Sequence, residues 1–77
     1  MERLIEITNR AVADYGFRQA VLYGPDDVAR RSGLTEREPA VLHATVLPLL
    51  GELPVPVQPE DIPAEQTRLE ARIRTAG

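Results

Sequence analysis

The sequence predicts an all-α fold: a compact bundle of short helices, then a Pro-rich extended strap and a C-terminal helix. Three observations predict it. Apolar residues before Gly51 recur near the 3.6-residue period of a helix face. The core material is Leu, Val, Ile and Ala, because aromatics are only 4% of the chain, at Tyr15, Phe17 and Tyr23. Pro54, Pro56, Pro59 and Pro63 then crowd a short stretch that cannot continue a helix. The expected organisation is a helical domain over residues 1–51, a strap over 52–63 and a helical tail over 64–77. With 77 residues there is room for one domain and no deep substrate cavity.

The first helix is expected from about Glu2 to Asp14, with Leu4, Ile5, Ala11, Val12 and Tyr15 on its inner face. Gly16 is its expected stop, since glycine takes the left-handed conformation at little cost. A second helix is expected from Phe17 to Tyr23, turning Phe17, Ala20, Val21 and Leu22 inward. Pro25 opens a third at the position where its missing donor is harmless. Asp26 and Asp27 then favour the positive end of the helix dipole, and Arg30 and Arg31 the negative end. Gly33 closes this helix.

Thr35-Glu36-Arg37-Glu38 reads as a capping box, with the Thr35 hydroxyl accepting from the Glu38 amide and Glu38 reaching back to the Thr35 amide. Leu34 is placed as the hydrophobic staple. Pro39 predicts a distorted first turn, and Val41, Leu42, Thr45, Val46 and Leu49 form the buried stripe. Pro48 is expected to kink or end this helix. Beyond Gly51, the pre-proline residues Leu53, Val55, Gln58 and Ile62 favour extended backbone. Asp61 is the expected cap of a last helix from about Ile62 to Thr75. Its stripe of Ile62, Leu69 and Ile73 is thin, so the helix docks on the first unit or on a partner.

Composition excludes several function classes. Nine arginines stand against twelve acids, a net charge of −3, whereas nucleic-acid binding runs on excess cationic charge. The exclusive use of Arg over Lys reads as the coding bias of a GC-rich bacterial genome. There is no cysteine, so disulfide frameworks, zinc ribbons and thiol nucleophiles are excluded. No apolar run is long enough to cross a membrane. Glu2, Arg3 and Glu6 break up any signal sequence, and a cytoplasmic location is expected.

No motif for catalysis, metal or cofactor emerges. His43 is the only histidine, and a general base needs an orienting acid and a nucleophile within reach. Ser32 is the only serine, and no spacing joins the two into a triad. Asp26, Asp27, Glu36 and Glu38 lack the alternating ligands and glycine turn of a calcium loop, and helix starts account for them. Glycines 16, 24 and 33 do not form a nucleotide loop. Val28 to Thr35 has the small residue, turn glycine and following Leu-Thr of a helix-turn-helix. There, however, Glu36 and Glu38 would face the phosphates, and Pro39 would occupy an apolar packing position. Pro56 and Pro59 have PxxP spacing, for which a rigid linker is the simpler reading. Arg68, Arg72 and Arg74 are balanced by Glu65 and Glu70 as a solvated face.

The run Phe17-Arg18-Gln19-Ala20-Val21-Leu22-Tyr23-Gly24-Pro25-Asp26-Asp27-Val28-Ala29, followed by Gly33-Leu34-Thr35-Glu36-Arg37-Glu38, resembles the LigA-like helical module of the nitrile-hydratase-leader-like clan. Met1-Glu2-Arg3-Leu4 and Ala11-Val12-Ala13-Asp14 fit its lead-in helix, so the resemblance covers about residues 1–50. Gly24 replaces the module's usual Asp or Asn, Asp26 its common Glu, and Pro39 interrupts its last helix. The resemblance implies a non-catalytic leader-like precursor or recognition protein, engaged by a modifying enzyme of a bacterial ribosomal peptide natural-product pathway. It also implies one alternative, a small accessory subunit of an extradiol ring-opening dioxygenase. A second alternative, which rests on the turn noted above and not on the resemblance, is a helix-turn-helix DNA-binding module. Without cysteine, thioether rings and cysteine-derived heterocycles are impossible in this chain. The expected partner is a protein. The residues expected to meet it are Leu53, Val55, Val57 and Ile62 as an extended edge, or Leu69 and Ile73 as a helix for a groove.

Overall fold

The computed structural model describes residues 1–77, and every regular element in it is helical. Helix α1 spans Glu2–Ala13, α2 Tyr15–Tyr23 and α3 Pro25–Ser32. Helix α4, Glu38–Val41, runs without a break through a π-helical turn, Leu42–Val46, into α5, Leu47–Gly51. After the strap, a 3₁₀ turn at Pro59–Asp61 leads into α6, Ile62–Ala76. The all-α bundle with a C-terminal helix is the architecture that the sequence predicts.

The break between α1 and α2 is made by Asp14 and not by Gly16. Asp14 is extended, with φ −124° and ψ 104°. Its backbone amide closes α1 on Arg10 O, and its side chain accepts from the Phe17 amide at 3.1 Å, capping α2. Gly16 lies inside α2. The third helix has the expected bounds, and Gly33 ends it in the left-handed region at φ 73°.

Only half of the expected capping box forms. The Thr35 amide donates to Glu38 Oε1 at 3.1 Å, but the Glu38 amide donates to the Thr35 carbonyl, not to its hydroxyl. Glu36 takes a left-handed φ of 58° in this turn. The second Glu38 oxygen accepts from the Leu4 amide at 3.1 Å. That amide is one of the orphan donors of the first turn of α1. Glu38, 8% exposed, therefore caps a helix distant from it in sequence.

Pro48 does not end its helix. The helix widens instead, and the Leu47 amide reaches back five residues to Leu42 O. A regular α-helix would bring the Pro48 ring against the carbonyl four residues earlier. The π turn takes in an extra residue just ahead of that clash. Leu49 and Leu50 are thereby kept in the core.

Two further expectations at the strap are corrected. Ile62, although it precedes Pro63, is helical at φ −56° and ψ −50°, which places Pro63 in the tolerant first turn of α6. Asp61 makes no side-chain cap.

Eighteen buried apolar side chains from Leu4 to Ile73 make one cluster, so the strap and tail share the core of residues 1–51. α1 is central to it and packs against both α2 and α6. Leu4, Ala11, Leu69 and Ile73 lose all exposure at the α1–α6 seam and its surroundings. Polar ties border the seam. Gln66 Nε2 donates to Asn9 O at 2.9 Å, and Arg74 donates to Glu2 at 3.2 Å and to Glu70. The Glu70 hydrogen bond first, then Glu2, hold the Arg74 guanidinium above its ordinary pKa. In α2, Tyr15 and Ala20 point outward, and the buried residues are Val21 and a charged one, Arg18.

Candidate functional site

Arg18 is the least expected residue in the core. It is 2% exposed, yet no carboxylate pairs with it. Both terminal nitrogens donate to one acceptor, the Pro54 carbonyl, at 3.1 Å each. Its Nε–H has no hydrogen-bond partner. The Tyr15 ring covers the guanidinium at 4.9 Å. A buried cation satisfied by a single carbonyl is a costly arrangement, since desolvation is opposed by only one acceptor.

The arrangement holds the strap. Leu53 and Val57 are buried on either side of the anchored carbonyl, at 5% and 7% exposure. Between them Pro54, Val55 and Pro56 stand outward, and Val55 is 67% exposed. Its peptide bond to Pro56 is cis. Tyr15, 40% exposed, flanks the guanidinium that the strap also touches. The result is a short apolar tip beside an aromatic ring. Pro54 and Pro56 carry no backbone donor.

This placement divides the six residues expected to meet a partner. Leu53, Val57, Leu69 and Ile73 are packed in the chain's own core. Ile62 is half-buried against it. Val55 alone is freely presented. Binding through Leu69 and Ile73 would require α6 to leave α1. Sequence reasoning missed Arg18 because a charged residue is normally assigned to the surface. A usable signal was present, since Arg18 lies three residues before Val21 on one helix face.

The other candidate groups remain scattered. His43 Nε2 meets Asp26 Oδ1 at 2.8 Å, on a surface where both are exposed. No hydrogen bond joins this pair to Ser32, whose carbonyl accepts from Arg3. Arg30 and Arg31 both turn back on Asp27, at 2.7 and 2.8 Å. No three of the His, Asp and Glu side chains gather as metal ligands. No helix is long and apolar enough to cross a membrane.

Comparison with protein-family models, curated proteins and solved structures finds no match to this chain.

Proposed function

We propose that this protein is a non-catalytic docking module that presents the Pro54-Val55-Pro56 tip, beside Tyr15, to a protein partner. One observation carries the reading. A buried arginine without a counterion is spent on fixing a single strap carbonyl. Its effect is to pre-order an apolar tip that the core does not use. Pre-ordering lowers the entropy lost on association, and aromatic and Pro-rich surfaces are common recognition elements. In the finer form, the partner is a modifying enzyme of a bacterial ribosomal peptide natural-product pathway, and this chain is its leader-like recognition protein.

The test mixes the purified protein with each candidate modifying enzyme found encoded near its gene. Calorimetry reads binding, and mass spectrometry reads modification. A Val55→Asp variant keeps its stability within about 0.5 kcal/mol, as substitutions at exposed sites do. It should lose about tenfold or more in affinity. Absence of binding and of any mass change with every such enzyme overturns the finer reading. Equal binding by wild type and Val55→Asp overturns the tip as the docking surface.

A further inference from the structure

A second feature lies on the α1 surface and is independent of the tip. Arg3, Glu6, Ile7, Arg10, Phe17 and Ser32 line an open pocket of about 160 Å³. Arg3 and Arg10 stand two helical turns apart on one face of α1. Glu6 lies between them, one turn from each. It pairs with Arg3, at 3.4 Å, and not with Arg10. The Arg3 Nε–H is fixed on the Ser32 carbonyl at 2.9 Å.

The Arg10 guanidinium makes no hydrogen bond or ion pair and stacks on the Phe17 ring, 4.0 Å from its centre. Stacking engages the face of a guanidinium and leaves its N–H edge available to a planar acceptor. Arg37 and Arg72 also lack an acidic partner, but neither lines this pocket nor rests on a ring.

We propose that this pocket binds a monocarboxylate with a small apolar body, its carboxylate on the Arg10 edge and within reach of Arg3. Charge selects the ligand class. Two guanidiniums against one carboxylate leave a single positive charge in excess, which a monoanion neutralises. A phosphate dianion exceeds it and meets repulsion from Glu6. Size selects the body, because a cavity of ~150 Å³ holds a benzene ring. The exposed part of Phe17 supplies most of the apolar wall, and the narrow exposed edge of the core residue Ile7 the rest.

The experiment follows the Arg side-chain Nε–H resonances and the Phe17 ring by NMR. The intact protein is titrated separately with benzoate, acetate, inorganic phosphate and neutral benzamide. Benzoate should give saturable shifts confined to Arg10, Arg3 and Phe17. Acetate should shift the same groups more weakly, phosphate no more strongly than acetate, and benzamide not at all. An Arg10→Gln variant should weaken benzoate by about tenfold, the loss of a charge-assisted bidentate contact. Its thermal unfolding should shift only slightly, since Arg10 is exposed and loses only its stacking on Phe17. Arg37→Gln should bind benzoate as wild type does. Glu6→Gln should make phosphate bind more tightly than in the wild type. Shifts that do not saturate, or that spread equally over all exposed arginines, overturn the site. A response to benzamide matching that to benzoate overturns the carboxylate assignment. Unchanged phosphate binding in Glu6→Gln overturns the charge argument.

Discussion

Glu38 joins two parts of the chain through a single carboxylate. One oxygen accepts from the Thr35 amide of its own turn and the other from the Leu4 amide of α1. Replacing it with alanine leaves the buried Leu4 amide without a partner, at about 1–3 kcal/mol, and frees the Thr35 amide at a partly exposed turn where water can take over the bond. Glu38→Ala should therefore lower stability by about 1–4 kcal/mol in urea unfolding. Glu38→Gln keeps one acceptor oxygen and should cost about half as much. Arg18 behaves differently. In Arg18→Met the hydrogen bonds to Pro54 are lost, but so is the desolvation of a buried charge. The two effects oppose one another, and global stability should stay within about 1.5 kcal/mol of the wild type. The strap should nonetheless loosen, seen as faster amide exchange at Leu53, Val55 and Val57. Unchanged exchange there would show that Leu53 and Val57 alone hold the strap. The Thr35–Glu38 spacing was legible in the sequence as a cap. The reach of Glu38 to Leu4 was not, because a contact across 34 residues leaves no local pattern.

At the scale of elements, helix bounds were legible where a single residue decides them. Pro25 and Gly33 set α3, since one favours the first helical position and the other takes a left-handed φ. They were less legible where residues compete. Gly16 permits a stop, but the Asp14 side chain reaches the Phe17 amide and moves the stop earlier. Pro48 predicts an interruption, and its form, a widened turn with burial of Leu49 and Leu50, depends on tertiary packing. The π turn can be tested by removing its extra residue. Deleting the exposed Ala44 should convert it to α geometry and bring the residue 43 carbonyl against the Pro48 ring. The deletion alone should cost about 3 kcal/mol or more. Combined with Pro48→Ala it should recover most of that loss in urea unfolding, because the ring that clashes is gone. Equal losses in the single and combined variants would show that the proline does not set the π turn.

Across the whole molecule, the C-terminal third belongs to the fold. Its thin stripe and Pro-rich lead-in suggest an appendage when residues are read locally. Leu69 and Ile73 nevertheless lose all exposure against the first unit. Ile73→Ala should cost about 2–4 kcal/mol, the range for emptying a buried aliphatic site. The urea m-value should stay at that of the wild type if the chain unfolds as one unit. A drop in m would show that α6 separates first. A fragment ending at Gly51 lacks Leu53, Val57, Leu69 and Ile73 and should show no cooperative transition.

The sealed position of Arg18 also sets how the protein responds to ionic strength. Mobile ions screen exposed charges within about 3 Å at 1 M salt, against about 10 Å at 0.1 M. The pairs of Asp27 with Arg30 and Arg31 lie in that screened layer. The Arg18 guanidinium lies beneath it and sets a cation against the dipole of the Pro54 carbonyl rather than against a second ion. Concentrated salt should fade the outer ion pairs while the strap keeps its place, so the tip would remain set in brines that erase the surface electrostatics around it.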